Sequence, residues 1–378
     1  MALKIGLVGC GNISDIYLTN ARLFRDIEFA AVSDINPEAA ARQGAKYGLP
    51  VRTVDALLAS RDVDIVLNLT VPDAHAPVYR AAIEAGKHVY GEKPLATTLE
   101  DGRRVVEAAR AKGLRIGSAP DTVLGGGIQT ARALVDGGAI GKPLLGLMAV
   151  LSHGMENWHP NPAFFFKPGG GPVFDLGPYY ISALVTLLGP VASVVAVGQI
   201  GFAERTVTTE TSPVRGSKIK VEVLTTAQAL LTFASGAQIT FLASWDVWRH
   251  GVPPIEIHGT EGSMRVPDPN FFGGPVDVAR ERADWAATQT TDKTFGVPNW
   301  PAQTPTVANY RGLGLAEMAR AIGEGRPHRA NGDLALHVLA VMAGILDSAV
   351  SGKPVAITDG CERPAPLGED EARGLLAG

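Results

Sequence analysis

Three groups of side chains in this sequence could move a proton or hold a charged ligand. Glu92-Lys93-Pro94 puts an ammonium in a short turn after an apolar run ending at Val89-Tyr90. Asp175 and Tyr179 stand four residues apart in the segment Gly-Gly-Gly-Pro-Val-Phe-Asp-Leu-Gly-Pro-Tyr, residues 169–179. That spacing sets an acid and a phenol on one face of a helix. Ile181, Leu184, Val185 and Leu188 follow at core spacing, and Gly189-Pro190 ends the pattern. The third group, Gly9-Cys10-Gly11-Asn12-Ile13-Ser14, joins a strand-like run to a helix. Taken singly, the acid–phenol helix is structural as often as functional, and a loop lysine is usually just solvated.

The glycine turn is the most specific of the three. It follows G-x-G-x-x-G with Ser14 at the third glycine. The first glycine permits the tight turn, the second lets a pyrophosphate approach the positive end of the helix, and the third serves packing, where serine is small enough. Asp34 ends the second strand-like run, 20 residues beyond Ser14, where a ribose-binding acid belongs. A carboxylate there accepts from ribose hydroxyls and repels a 2′-phosphate, so NAD is expected in preference to NADP. The alternative is a plain structural turn with Asp34 capping the next helix.

The elements that must position these residues fall into two grammars. Up to about residue 121, short apolar runs (4–9, 28–33, 64–69, 87–90, 114–117) alternate with alanine-rich helical stretches (37–47, 74–86, 99–113). That alternation implies a parallel sheet with helices on its faces. Afterwards a helix at 122–138 leads into longer strands at 143–151, 191–202, 229–234, 237–244, 255–258 and 263–266. Short turns such as Ser235-Gly236 link several of them, which implies an antiparallel sheet. Residues 267–308, rich in Pro, Gly, Asp and Thr, read as a long excursion, and helices at about 309–324 and 333–351 close the chain. The expected division is 1–121 and 122–378, with the C-terminal helices able to pack back on the first unit.

Composition sets limits. Of 378 residues, 46% are hydrophobic and 19% charged, enough for a sizeable core. A net charge of −4 excludes the basic excess of a dedicated nucleic-acid binder. Two cysteines, Cys10 and Cys361, make neither a disulfide framework nor a zinc site. No apolar run reaches the ~18 residues of a membrane span, and the N-terminus has no signal-peptide h-region, so a cytoplasmic protein without membrane or nucleic-acid partners is expected. His153 and His159 lack the acids or cysteines that would make them metal ligands, so no metal is expected.

Together, the glycine turn, Glu92-Lys93-Pro94 and the Gly-Gly-Gly…Asp175…Tyr179 segment resemble the Gfo/Idh/MocA oxidoreductases. Thr70-Val71-Pro72-Asp73-Ala74-His75 and Gly259-Thr260-Glu261-Gly262 also match recurrent stretches of that family. The resemblance spans nearly the whole chain. It implies an α/β fold: a Rossmann domain with a doubly wound parallel sheet, then an α+β domain with a mostly antiparallel open sheet whose outer face makes a homodimer or homotetramer. It implies NAD held by Gly9, Gly11, Asn12, Ile13, Asp34, Thr70, Val71, Pro72, His75, Glu92, Lys93 and Pro94. The family lysine and aspartate fall on Lys93 and Asp175. The usual histidine falls on Tyr179, a departure in this chain; the adjacent Tyr180 has the wrong spacing for that role.

The implied reaction moves a hydride between a secondary hydroxyl of a sugar, polyol or glycoside and nicotinamide. Free tyrosine has a pKa of about 10, and a neighbouring ammonium lowers it. The expected roles are therefore Tyr179 as acid/base, Lys93 as electrostatic partner and Asp175 as orienting group; in the alternative Lys93 is the base and Tyr179 a substrate hydrogen bonder. Asp121, Gln129, His153, Trp158 and His159 are candidate substrate contacts. Each has a bland counterpart: helix capping for Asp121, loop packing for the aromatic residues. Arg311 and His337 could reach the cleft but are expected to pack or face solvent, Phe164-Phe165-Phe166 to form a wall or interface, and Trp245 and Trp248 to serve core or subunit contact. Two other readings stand beside a dehydrogenase: a cofactor-recycling or keto-sugar glycoside-cleaving enzyme, and a non-catalytic NAD sensor.

Overall fold

The computed structural model describes residues 2–378. The chain runs β1 (Leu3–Val8), α1 (Ser14–Asn20), β2 (Ile27–Ser33), α2 (Pro37–Tyr47), α3 (Val54–Leu58), β3 (Ile65–Asn68), α4 (Pro72–Glu84), β4 (His88–Gly91), α5 (Leu99–Ala111) and β5 (Ile116–Ser118). These strands form an all-parallel sheet in the order β2-β1-β3-β4-β5. Helices cover both faces, so the central strands are apolar without alternation: Ile5, Leu7, Ile65, Val66, Leu67, Val89 and Tyr90 are all fully buried. Local chemistry starts the helices. Asn36 caps α2 by accepting from Glu38 N, with Pro37 at the first position, and Thr98 caps α5 by accepting from Asp101 N.

The second part contains α6 (Gly126–Asp136), β6 (Pro143–Leu151), α7 (Gly171–Leu188), β7 (Val191–Gln199), β8 (Glu204–Thr206), β9 (Lys218–Lys220), β10 (Thr226–Phe233), β11 (Gln238–Ser244), β12 (Ile255–Gly259), β13 (Gly262–Val266), β14 (Val276–Arg280), β15 (Ala286–Thr288), α8 (Leu313–Glu324), α9 (Gly332–Ser351), β16 (Val355–Ala356) and α10 (Glu369–Leu375). Nine strands make one sheet in the order β15-β14-β13-β12-β6-β11-β10-β7-β16. Every pairing is antiparallel except β6 with β11. In β10 and β11 buried and exposed residues alternate, so one face is packed, with α7 against it, and the other is open.

Three expectations need correction. The helix expected over 122–138 is a 3₁₀ turn at Thr122–Leu124 and then α6. The break is at Gly125, where a Cβ would lie 2.4 Å from the Phe272 carbonyl oxygen. Gly126 N and Gly127 N then donate to Phe295 O and Phe272 O, so the excursion 267–308 packs its backbone onto the start of α6. That excursion also carries β14 and β15, which extend the sheet. The third is α9, which is long and apolar enough by length and composition to cross a membrane. It packs against β7, α7 and α5, and its apolar composition is that of a helix wedged between the two sheets.

Candidate active site

Lys93 leaves the carboxyl edge of β4, and α7 brings Asp175 and Tyr179 to it. Lys93 Nζ donates to the Asp175 main-chain carbonyl at 2.7 Å and to Asp175 Oδ1 at 2.9 Å. It also lies 5.2 Å from the centroid of the Tyr179 ring. Burial opposes the charge on Lys93, but Asp175 and Tyr179 outweigh it, and the ammonium is held above its ordinary pKa. Of its three N–H groups, two are engaged by Asp175. Behind it, Glu92 accepts from the Tyr17 hydroxyl at 2.8 Å and from Lys93 N at 3.1 Å, which fastens this turn to α1.

The glycine turn lies where the strand order reverses, between β1 and β3, the place where open α/β sheets bind ligands. Gly9 has φ +102°, and a Cβ there would meet the Leu69 carbonyl carbon at 2.5 Å, so only glycine fits. A Cβ on Gly11 would meet nothing within 4 Å. Among the described residues, the N–H groups of Gly11, Asn12 and Ile13 donate to no protein acceptor. Buried Ser14 donates to Gly11 O at 2.6 Å and accepts from Gln43. Asp34 accepts from Cys10 N at 2.6 Å and Asn36 N at 2.7 Å, one on each oxygen, so each oxygen keeps a free lone pair. Open space, unpaired N–H groups and a carboxylate at the strand end fit a dinucleotide.

Thr70, exposed Val71 and Pro72 border this turn at the end of β3. Fully buried Asn68, which the sequence did not single out, shapes them: its Oδ1 accepts from Thr70 Oγ1 at 2.7 Å and its Nδ2 donates to His75 O. His75, expected against the cofactor, is corrected. It is 1% exposed, with Nδ1 2.7 Å from Pro94 O and Nε2 3.0 Å from Thr70 O. Pro72 starts α4, and one turn on His75 points inward, tying the post-β3 loop to the Lys93 turn. Burial lowers its pKa.

Two expected substrate contacts are also corrected. Asp121 is 1% exposed and accepts from Gly312 N at 2.9 Å and Gly314 N at 3.1 Å. It caps α8, which is distant in sequence, and not the turn that follows it. Burial pushes its carboxyl up to about 6. Gln129 uses both ends of its amide, donating to Val123 O and accepting from Leu367 N. His153 stacks on exposed Trp248, their ring centroids 3.3 Å apart. Trp158 is 58% exposed, and His159 sits edge-on to Trp158, Phe164 and Phe165. These three lie on the loop that leads into α7. That loop approaches the first sheet's side, where a Cβ on Gly169 would lie 3.2 Å from Thr97 Cγ2. Phe166 and Trp245 are fully buried in a small second core. His337 is buried between Val191 N and Asp359 O.

Arg311, expected to pack or face solvent though able to reach the cleft, stands on the segment before α8. It is half-buried, and its main-chain carbonyl accepts from Asn20 Nδ2 at 3.1 Å. Burial opposes its charge, and Tyr179 and Glu92 outweigh it, so its pKa is raised. No local pattern signals this, because 132 residues separate Tyr179 from Arg311. Tyr180 turns the other way and donates to Asp268 Oδ1 at 3.1 Å.

A Gfo/Idh/MocA model described as an oxidoreductase family with an NAD-binding Rossmann fold matches residues 3–119, and that family's C-terminal domain matches 128–265. The chain is 37% identical over 155 residues to inositol 2-dehydrogenase 3 of Saccharopolyspora erythraea, covering 38% of this chain and 44% of that protein. The match to this relative thus spans under half its length. Over 363 residues it is 26% identical to 1,5-anhydro-D-fructose reductase of Ensifer adhaerens, covering 94% and 98% of the two chains. Its fold is similar to that of an NAD-binding oxidoreductase from Klebsiella pneumoniae, with a TM-score of 0.80 at 24% identity over 95% of this chain and 100% of that one. With both of its domains matched in order along the chain, the chain belongs to the Gfo/Idh/MocA family of NAD-binding oxidoreductases.

Proposed function

We propose that this protein oxidises a secondary hydroxyl of a sugar or polyol, or reduces the matching ketone, with NAD as hydride partner. The observation that carries this is the Lys93–Asp175 pair beside Tyr179, at the edge of the sheet that holds the glycine turn. The two units, 1–121 and 122–378, meet at Asp121, and the cleft between them takes the substrate. Gly9, Gly11, Asn12, Ile13, Asp34, Thr70, Val71 and Pro72 hold the nucleotide, and Glu92 and Pro94 shape its nicotinamide end. Bound NAD would supply the hydride acceptor.

The remaining chemistry falls to the chain. Lys93, charged and with an N–H left over, donates to the substrate oxygen. Its raised pKa favours this role over that of base. Asp175 keeps it charged and aimed. Tyr179 takes the hydroxyl proton as the carbonyl forms and returns it in the reverse direction. Trp158 and His159, with His153 further along the same loop, offer aromatic faces and polar edges of the kind that bind sugars. The open face of the second sheet, where exposed Val195 pairs with exposed Leu230 and Val197 lies beside them, is the contact for a homodimer or homotetramer. Work in the cytoplasm is part of the same proposal.

The experiment is NADH absorbance with NAD⁺ against a panel of sugars, polyols and glycosides, with Lys93→Met as control. A sugar-dependent rise that this substitution abolishes is the expected result. No rise with any member, and no nicotinamide released on denaturation, would overturn the proposal in favour of an NAD-binding sensor.

A further inference from the structure

His75 is enclosed, yet both of its ring nitrogens face acceptors. Nδ1 lies 2.7 Å from Pro94 O and Nε2 lies 3.0 Å from Thr70 O, and the residue is 1% exposed. A carbonyl oxygen can only accept, so each contact needs an N–H from the ring. An imidazolium would supply both. Burial opposes that charge and lowers the pKa, and neither contact is to a carboxylate that would offset the cost. The ring is therefore neutral near neutral pH, with one proton for two carbonyls.

The surroundings decide which carbonyl takes it. The contact with Pro94 O is buried, so an unmet oxygen there would find no water. The contact with Thr70 O is only partly buried, and solvent can serve that oxygen. The Thr70 segment is also held without His75: Thr70 N and Oγ1 donate to Asn68 Oδ1 at 3.2 and 2.7 Å. Pro94 has no N–H, so its carbonyl is the one main-chain polar group by which it can be tied down. The proton belongs on Nδ1.

Pro94 directly follows Lys93, whose flexible stem carries the ammonium across to the Asp175 carbonyl and carboxylate on α7. The upstream side of this turn is held by Glu92: its N donates to Asn68 O at 3.0 Å, and its Oε2 accepts from Lys93 N at 3.1 Å. The downstream side is held by His75 from the first turn of α4. The reach of the ammonium starts from main chain fixed on both sides.

We propose that His75 is a positioning residue for Lys93: its Nδ1–H donates to the Pro94 carbonyl and holds the turn so that the ammonium meets both Asp175 and the substrate oxygen. This rests on the reading of Lys93 as donor to that oxygen, and the test is chosen to separate the two. An asparagine amide puts its N–H near the position of Nδ1 and a glutamine amide near that of Nε2. His75→Asn therefore keeps the bond to Pro94 O, and His75→Gln keeps only the one to Thr70 O. With an active sugar, His75→Gln lowers kcat by about tenfold or more with KM little changed, and His75→Asn stays within about threefold of wild type. Without any sugar, amide exchange of segment 91–96, read by mass spectrometry, quickens by about tenfold in His75→Gln and not in His75→Asn. Nitrogen NMR of the ring-labelled wild type, with the His75 signals assigned by their loss in the variants, shows the proton on Nδ1. Thermal unfolding confirms that the variants fold; should one not fold, the other compared with wild type decides. A proton on Nε2, equal behaviour of the two variants in kcat and exchange, or failure of both to fold would overturn the proposal. A wild type inactive on every sugar would defeat the proposed function and leave amide exchange and the nitrogen spectrum to decide on His75.

Discussion

Lys93 is held by Asp175 through two different acceptors, a main-chain carbonyl at 2.7 Å and a carboxylate oxygen at 2.9 Å. The carbonyl fixes the position of the ammonium, and the carboxylate keeps it charged against burial. Asp175→Asn leaves the first and removes the second. Burial then acts without opposition, and the Lys93 pKa falls. The expected result is about a tenfold loss of kcat at neutral pH and an alkaline limb moved to lower pH, against about 10²- to 10³-fold for Lys93→Met at all pH values. Steady-state rates from pH 6 to 10 check this, and an alkaline limb that stays in place counts against it.

Tyr179→Phe keeps the ring against Lys93 and deletes the proton acceptor. Loss of a positioned acid/base typically costs about 10²- to 10⁴-fold, in kcat and not in nucleotide affinity. Fluorescence titration with NADH, beside steady-state kinetics, separates the two. Near-wild-type turnover with an unaltered pH profile would transfer the base role to Lys93.

Asp34 bonds Cys10 N and Asn36 N and faces the expected ribose position with its remaining lone pairs. Asp34→Asn leaves one acceptor oxygen for either Cys10 N or Asn36 N and removes the charge that repels a 2′-phosphate. The NAD-over-NADP preference, measured as a ratio of dissociation constants, is expected to fall by about tenfold or more, equivalent to about 1.4 kcal/mol. An unchanged ratio would remove Asp34 from cofactor selection.

Asp121 makes stability depend on pH. Its carboxyl is pushed up to about 6 in the folded chain by burial, against about 3.9 when unfolded. The folded state therefore binds the extra proton between those values. The stabilisation is complete below about pH 4 and is lost as pH rises through about 6, an effect of about 3 kcal/mol. Urea unfolding of wild type and Asp121→Asn from pH 4 to 7 should show the wild type losing stability relative to the variant across that window. Parallel curves would mean that Asp121 does not titrate there.

Much of the fold was legible because its signals are local. Asn36-Pro37 starts a helix and Gly48 ends it within a few residues of chain. Alternation in β10 and β11 marks a half-open sheet, and continuous apolar runs in β1, β3 and β4 mark a covered one. The excursion at 267–308 was harder to read, since β14 and β15 form only as edge strands beside β13. The break at Gly125 was hidden for a similar reason: Phe272, which requires it, is far along the chain.

By itself, the sequence determined which turn could take a dinucleotide, which acid stands beyond it, and that Lys93, Asp175 and Tyr179 were the candidates for chemistry. Residue type and short spacing set those properties, and they survive any arrangement of the two sheets. Tertiary structure alone decided which polar side chains face the cleft and which are enclosed. Asp121, Gln129 and His75 find partners on segments folded over them, so their hydrogen-bonding capacity is used inside the protein. Asn20 and Asp121 likewise hold the main chain at Arg311 and Gly312, far along the sequence from either. A side chain's neighbours depend on how distant backbone segments pack, and spacing along the chain does not encode that contact.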